Sequence, residues 1–196
     1  GNGYFLCTGS LMNNTHSNCI PYFLLADHCA YYNSYATAAN LNQWVFNFNY
    51  EASSCTGTTG PTTQSMTGCS LLSHDTYGMN SQGSDFYLVR LNNNVPNTYQ
   101  PYFNGWNREN TGATSGVSIH HPDGDIKKIS TFTQPATNYF TNHWLIRWAQ
   151  TVTNHSVTEG GSSGSPLYNQ NGLVVGTLTG GGSFCATPND PDIYGK

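Results

Sequence analysis

Gly160-Gly161-Ser162-Ser163-Gly164-Ser165-Pro166 sets glycines on both sides of a serine pair. Such glycines let the backbone turn tightly, expose a hydroxyl and aim neighbouring N–H groups at one point. The same string is also an ordinary Gly/Ser linker. A serine hydroxyl is a weak nucleophile unless a base and an orienting carboxylate stand beside it.

Two upstream fragments offer those partners. Tyr22-Phe23-Leu24-Leu25-Ala26-Asp27-His28-Cys29 is an apolar run that ends on a histidine. A histidine there is often only a core residue, but a disulfide at the next position would pin its backbone. Ser84-Asp85-Phe86-Tyr87-Leu88-Val89-Arg90-Leu91 opens an apolar strand with an acid, which alone reads as a turn residue or cap. Taken together, the order His28, Asp85, Ser163 is that of the chymotrypsin-type triad, and not of subtilisins or α/β-hydrolases.

The whole chain suits a β-rich extracellular protein. Its 196 residues fit one domain or two small barrels in one chain, and only 8% of them are charged, against about 25% in an average soluble domain. The net charge of -4, with Lys127-Lys128 as the one adjacent basic pair, argues against nucleic acid as a partner. No apolar run approaches the ~20 residues of a membrane helix. Apolar residues recur in short runs between Asn, Gly, Ser, Thr and Pro clusters, the pattern of many short strands. The expected strands are Tyr4 to Met12, Pro21 to Ala26, Gln43 to Tyr50, Ser70 to Ser73, Phe86 to Leu91, Gly116 to His120, Lys127 to Phe132, Trp144 to Trp148 and Leu173 to Thr179. Trp44, Phe46, Phe48 and Tyr50 would share one face, and one short helical turn is suggested near Cys29 to Tyr35. Asn92 to Pro101 and Ser53 to Gln64 read as loops, the first near the midpoint.

At Ala26-Asp27-His28-Cys29, Asp85-Phe86-Tyr87-Leu88 and Gly161-Ser162-Ser163-Gly164-Ser165-Pro166 the sequence resembles the chymotrypsin-like serine endopeptidases. Cys7-Thr8-Gly9-Ser10-Leu11-Met12-Asn13-Asn14-Thr15, Ile119-His120-His121-Pro122, Lys128-Ile129-Ser130 and Thr158-Glu159-Gly160-Gly161-Ser162-Ser163 are similar to the bacterial lysyl endopeptidases of the Achromobacter protease I type. That likeness covers nearly the whole chain. It implies an all-β fold of two antiparallel β-barrels, the chymotrypsin (trypsin-like) fold, with the active site in the cleft between them. The domain would span 1–196, with a first barrel over 1–95 and a second over 96–196. It also implies His28 as general base, Asp85 as its orienting acid, Ser163 as nucleophile, and the N–H groups of Gly161 and Ser163 as oxyanion hole. Ser162 stands where zymogen-activated members carry the Asp that pairs with a freed N-terminus.

Cleavage after a basic residue needs a carboxylate in the primary pocket, because a buried unpaired cation is very costly. Trypsin's acid position is Val157 here. The lysyl endopeptidase pattern places the acid before a Tyr-Gly pair, and Asp192-Ile193-Tyr194-Gly195 fits, with Asp190 and Glu159 as substitutes. Thr179, Gly180 and Gly181 would complete the pocket. Thr179 replaces the histidine of the family's Leu-His-Gly-Gly segment. The family's stacking Trp is absent from a loop shortened around Thr137 to Asn142, which holds Tyr139 and Phe140.

Six cysteines without a CxxC spacing point to disulfides in a secreted protein rather than a zinc ribbon. The resemblance pairs Cys7 with Cys29. Cys55 and Cys69 flank a Gly/Thr loop in an expected hairpin and would form a second pair. The family counterparts of Cys55 and Cys185 pair with cysteines this chain lacks, which leaves Cys19 with Cys185. His120-His121-Pro122-Asp123 with Asp125 could be read as a metal site, but adjacent strand residues face opposite ways, so neither metal nor cofactor is expected. The implied activity is that of a secreted bacterial serine endopeptidase acting on proteins or peptides with a basic P1 residue, Lys before Arg. The chain resembles the central part of a larger precursor with flanking segments. Two other readings stay open: an inactive protease-fold binding or adhesion module, and an active serine protease with a non-basic P1 preference.

Overall fold

The computed structural model describes residues 5–75 and 82–196. Strands form where inward apolar side chains alternate with outward ones. Phe86–Leu91 is the clearest case: Tyr87, Val89 and Leu91 are buried, while Phe86, Leu88 and Arg90 are not. In chain order the strands are β1 (Ser10–Met12), β2 (Tyr22–Ala26), β3 (Tyr31–Tyr32), β4 (Ser34–Tyr35), β5 (Val45–Asn47), β6 (Ser65–Thr67), β7 (Cys69–His74) and β8 (Phe86–Leu91). There follow β9 (Gly116–His120), β10 (Lys128–Phe132), β11 (Thr137–Tyr139), β12 (His143–Ile146), β13 (Pro166–Asn169), β14 (Val174–Gly181) and β15 (Asp192–Gly195).

Among the described residues the ladders between strands are all antiparallel, with isolated parallel bridges at Met12–Asn104 and Trp106–Val174. One sheet runs β1-β2-β8-β7, a second runs β10-β9-β13-β14-β15-β12-β11, and β3-β4 and β5-β6 are separate hairpins. The all-β class expected from sequence is present. Among the described residues the ladders stay open rather than closing into hydrogen-bonded barrels, because β3 to β6 are too short to complete the first circuit. Side chains close it instead. Phe46 from β5, flanked by Trp44 and Phe48, packs with Leu11, Leu25, Tyr87, Val89 and Leu91 into one core. A second core gathers Phe132, Trp144, Trp148, Leu167, Leu178 and Tyr194 from the larger sheet and its connections.

Several local expectations change. Only β5 is regular within Gln43 to Tyr50, and Tyr50 leaves the shared face to stack on His121 with ring centroids 5.8 Å apart. In place of a helical turn over Cys29 to Tyr35 there is a 3-10 turn at Asp27–Ala30, then the β3-β4 hairpin. One α-helical turn follows at Ala38–Leu41, where Thr37 Oγ1 accepts the Asn40 N–H and Asn40 Oδ1 accepts the Thr37 N–H. The first expected strand is regular over β1, and its start, Tyr4, lies outside the described residues. No described helix is long and apolar enough to cross a membrane.

Cys7 and Cys29 are bridged, while Cys19, Cys55, Cys69 and Cys185 are free thiols. The pairings Cys55–Cys69 and Cys19–Cys185 are therefore not formed. Cys69 opens β7 with its Sγ turned inward, 3.7 Å from Leu41 O, whereas Cys55 stands exposed on a loop. Cys185 Sγ lies 3.4 Å from Glu159 Oε1, and Cys19 is exposed at a residue with φ of 56°.

The lysines are each held. Lys127 Nζ reaches Glu51 at 2.7 Å and Lys128 Nζ reaches Asp125 at 3.1 Å. Lys196 Nζ sits 3.9 Å from the centre of the Trp144 ring and donates to Asn110 Oδ1, Asn138 Oδ1 and Thr141 O.

Candidate active site

His28 sits in the 3-10 turn that ends β2, and Asp85 immediately precedes β8, the strand paired with β2. The pairing brings the two residues together. His28 Nδ1 is 2.7 Å from Asp85 Oδ2, and the His28 N–H donates to Asp85 Oδ1 at 2.9 Å. Asp85 is fully buried and acts only as an acceptor, so Nδ1 carries the proton and Nε2 keeps its lone pair. Asp85 also has φ of 55°, unusual for a residue with a Cβ. Two hydrogen bonds hold it there: its N–H donates to Asp75 Oδ2 at 2.9 Å, and its carbonyl accepts the Asp27 N–H at 2.8 Å.

Behind that pair stands a second one. Asp27, also buried, accepts the Tyr35 hydroxyl at 2.7 Å and lies 2.9 Å from His74 Nδ1. Burial raises the Asp27 carboxyl above its ordinary value against the lowering effect of these partners.

The serine loop is two consecutive turns. Ser162 N–H donates to Glu159 O at 3.0 Å, and Ser165 N–H donates to Ser162 O at 2.9 Å. Gly161 and Gly164 occupy the third position of each turn with φ of 86° and 82°, the type II requirement that glycine meets without strain. Gly164 has a second reason to be glycine, since a Cβ there would lie 2.4 Å from Thr8 O. The turns consume the N–H groups of Ser162 and Ser165, and Leu178 O takes that of Gly164 at 2.8 Å. Among the described residues, the N–H groups of Gly161 and Ser163 donate to no protein acceptor.

Thr8 ties the loop to the histidine turn. Its N–H donates to Ser163 O at 2.8 Å and its Oγ1 donates to Gly161 O at 2.9 Å while accepting the His121 N–H at 3.1 Å. Its neighbour Cys7 is bridged to Cys29, beside His28, and Cys29 Sγ lies 3.9 Å from Ser163 O. The bridge closes a span of 22 residues, worth about 3 kcal/mol in a chain-entropy account.

Ser163 lines a cleft of about 520 Å³ together with Thr158, Ser183, Gly180, Gly181, Asp123 and Glu159, and of these Thr158 and Ser183 are buried. Asp192 stands fully buried behind this lining. Its Oδ2 accepts Thr158 Oγ1–H at 2.5 Å, Ser183 Oγ–H at 2.6 Å and Trp148 Nε1–H at 2.6 Å, and its Oδ1 accepts the Ser183 N–H at 3.1 Å. Gly181 leaves room for it, since a Cβ there would come within 2.0 Å of Asp192 Oδ1. Asp190 is exposed, and Val157 belongs to the second core. Thr179 is not among the residues that line the cleft: its side chain is buried at the irregularity of the β14-β15 ladder between Leu178 and Gly180, which do line it. Tyr139 and Phe140 contact each other on the exposed β11-β12 hairpin.

Sequence reading did not single out Thr158, Ser183, Trp148 or Asp75. Hydroxyl and indole donors carry no local signal of the carboxylate they will meet. Asp75 marks the end of an apolar strand much as any turn acid does. The rings of His120 and His121 do point apart: His120 is buried toward Ser162 and Ser130, and His121 Nδ1 lies 3.0 Å from Asp125 O.

A family model described as lysyl endopeptidase, C-terminal domain, matches residues 1–195. The lysyl endopeptidase of Pseudomonas aeruginosa is 32% identical over 196 residues, covering 95% of this chain and 39% of that protein. The chain thus spans about two-fifths of the length of that curated relative. Among solved structures, a Glu endopeptidase in complex with MPD has a TM-score of 0.61 at 20% identity, covering 99% of this chain and 80% of that one. A thermostable serine protease from an extremophilic microorganism has a TM-score of 0.70 at 14% identity, covering 99% and 85%. These two share the fold, which is that of the chymotrypsin-like serine proteases. The chain belongs to the lysyl endopeptidase C-terminal domain family.

Proposed function

We propose that the chain is the catalytic domain of a secreted serine endopeptidase that cleaves proteins or peptides after Lys, and less readily after Arg. One trypsin-like domain would comprise a first lobe over 1–95 and a second over 96–196. The observation that carries the reading is the His28–Asp85 pair at 2.7 Å, one residue from the Cys7–Cys29 bridge, whose neighbour Thr8 is hydrogen-bonded to a serine loop with two unspent N–H groups. Ser163 Oγ attacks the scissile carbonyl carbon while His28 Nε2 takes its proton. Asp85 keeps the imidazole in the right tautomer and stabilises the imidazolium. The N–H groups of Gly161 and Ser163 meet the oxyanion. His28 returns the proton to the leaving amine, and water, deprotonated by the same histidine, releases the acyl group from Ser163.

The Lys preference rests on Asp192. Thr158 and Ser183, both on the cleft wall, commit their hydroxyl protons to this carboxylate, so each oxygen keeps acceptor capacity, even though Ser183 Oγ also accepts the Thr158 N–H at 3.3 Å. An entering ammonium donates to those oxygens and is neutralised by the acid behind them. The Cys7–Cys29 bridge supports an oxidising, extracellular setting.

Incubation with an organophosphonate serine probe and a P1-varied peptide library tests the reading. Labelling at Ser163 with cleavage after Lys is the expected result, and folded protein that neither labels nor cleaves overturns it. Asp192→Asn is expected to lower kcat/KM for Lys peptides by about 10²-fold or more, as loss of a buried ionic partner does, with much less effect on small-P1 peptides. Equal losses on both would remove Asp192 from the pocket.

A further inference from the structure

Ser162, His120 and Ser130 are fully buried, and the hydrolysis just described uses none of them. Their side chains form one line of hydrogen bonds. Ser162 Oγ is 2.8 Å from His120 Nδ1, His120 Nε2 is 2.8 Å from Ser130 Oγ, and Ser130 Oγ donates to Ser156 Oγ at 3.0 Å. The proton direction along the line follows from its ends. Ser130 spends its single proton on Ser156, so it accepts from His120 Nε2–H, and Nδ1 is left to accept. Ser162 Oγ already accepts the Glu159 N–H at 3.2 Å and gives its own proton to Nδ1. His120 is therefore a neutral imidazole in one tautomer, and burial pushes its pKa down to about 4.

Ser162 is the joint of the serine loop: it ends the turn that starts at Glu159 and begins the turn that ends at Ser165. The peptide groups on either side of it bear on both unspent N–H groups, those of Gly161 and Ser163. Rotation of Ser162 would swing them apart. The neighbouring backbone already limits Gly161, where a Cβ would lie 2.8 Å from His121 O. The side chain of Ser162 is anchored by His120, from β9 of the second sheet.

We propose that His120 is a positioning residue for hydrolysis at Ser163: by accepting the Ser162 hydroxyl proton it holds the Gly161 and Ser163 N–H groups aimed at one oxygen. A buried neutral line of hydrogen bonds would then do at position 162 what an ion pair does in zymogen-activated members, with no dependence on a freed N-terminus. The inference rests on Ser163 being the nucleophile.

The test compares His120→Leu, His120→Asn and Ser130→Ala with the parent protein on a Lys peptide amide. Inhibition by a peptide aldehyde, which forms a tetrahedral adduct, is measured beside inhibition by a simple alkylamine, which fills only the P1 pocket. His120→Leu is expected to lower kcat by about 10²-fold, the scale of a lost oxyanion donor, with KM within about twofold. Aldehyde inhibition should weaken in parallel while alkylamine inhibition stays unchanged. His120→Asn, which keeps an acceptor near the Nδ1 position, should recover most of the loss. Should His120→Leu fail to fold, Ser130→Ala carries the test, with about a tenfold fall in kcat and the same divergence of the two inhibitors expected. Folded variants with parental kcat, or equal weakening of both inhibitors, overturn the proposal while leaving the proposed function standing. A parent protein that neither cleaves the peptide nor labels at Ser163 overturns both.

Discussion

Asp85 shows how much of a site resides in the backbone of one residue. Its left-handed φ of 55° is held by the Asp75 carboxylate and the Asp27 N–H, so the carboxyl group reaches His28 with both oxygens engaged. Asp75→Ala removes the acceptor that the Asp85 N–H needs. It should lower kcat by about tenfold with little change in KM, given the roughly 1.5–3 kcal/mol of a hydrogen bond to a charged group. Steady-state kinetics on one Lys peptide checks this. The proposed triad was legible because His28, Asp85 and Ser163 come in a diagnostic order. Asp75 was not, because its role exists only once β7 and β8 are paired. His120 adds a pH dependence of stability. Its pKa is about 4 in the fold against 6.5 in the open chain, so the unfolded state binds the extra proton between those values. Stability from this source is complete above about pH 6.5 and is lost as pH falls toward 4, by about 3 kcal/mol in all. Buried His143, also lowered by desolvation, acts in the same sense. Melting temperature against pH should show a slope in this window that shrinks in His120→Asn.

At the scale of elements, alternation located β8, β9 and β10 well because each has one face in a core. β13 and β15 escaped the sequence reading. Pro166–Asn169 opens with a proline and holds two polar residues, and Asp192–Gly195 carries a buried acid whose partners, Trp148, Thr158 and Ser183, come from three separate segments. The hairpin of β3 and β4 was mistaken for a helical turn because Tyr31–Tyr35 is too short for either period to show. Strand geometry also decides the cysteines. Cys69 faces inward at the start of β7, and burial pushes its thiol up to about 12. Alkylation of the native protein followed by mass spectrometry should label Cys19, Cys55 and Cys185 and spare Cys69. Cys185 should react more slowly than Cys19 and Cys55, because the Glu159 carboxylate beside it raises its pKa. Label on Cys69, or its recovery in a disulfide with Cys55, would contradict the inward orientation.

Over the whole molecule, the two cores supply walls and the candidate site lies where Thr8, the histidine turn, the serine loop and β9 meet. The family likeness foresaw the fold, while composition and alternation gave only the all-β class. What no pattern in the sequence announces is the state of the lysines. Lys128 lies in a strand ladder, the Lys127 N–H is hydrogen-bonded to Tyr50 O, and the ammonium groups of Lys127, Lys128 and Lys196 are all engaged. A substrate chain must offer its P1 side chain and an extended, unpaired backbone to the cleft, and these lysines offer neither. Arg108 differs, lying exposed in a loop between the cores. Prolonged incubation of concentrated protein should therefore leave Lys127 and Lys128 uncut, and any first nick should follow Arg108. An early cut after Lys128 would deny that the fold protects it. An enzyme of the proposed specificity, left with only copies of itself, would starve beside its own lysines, since the fold withholds them and leaves Arg108 within reach.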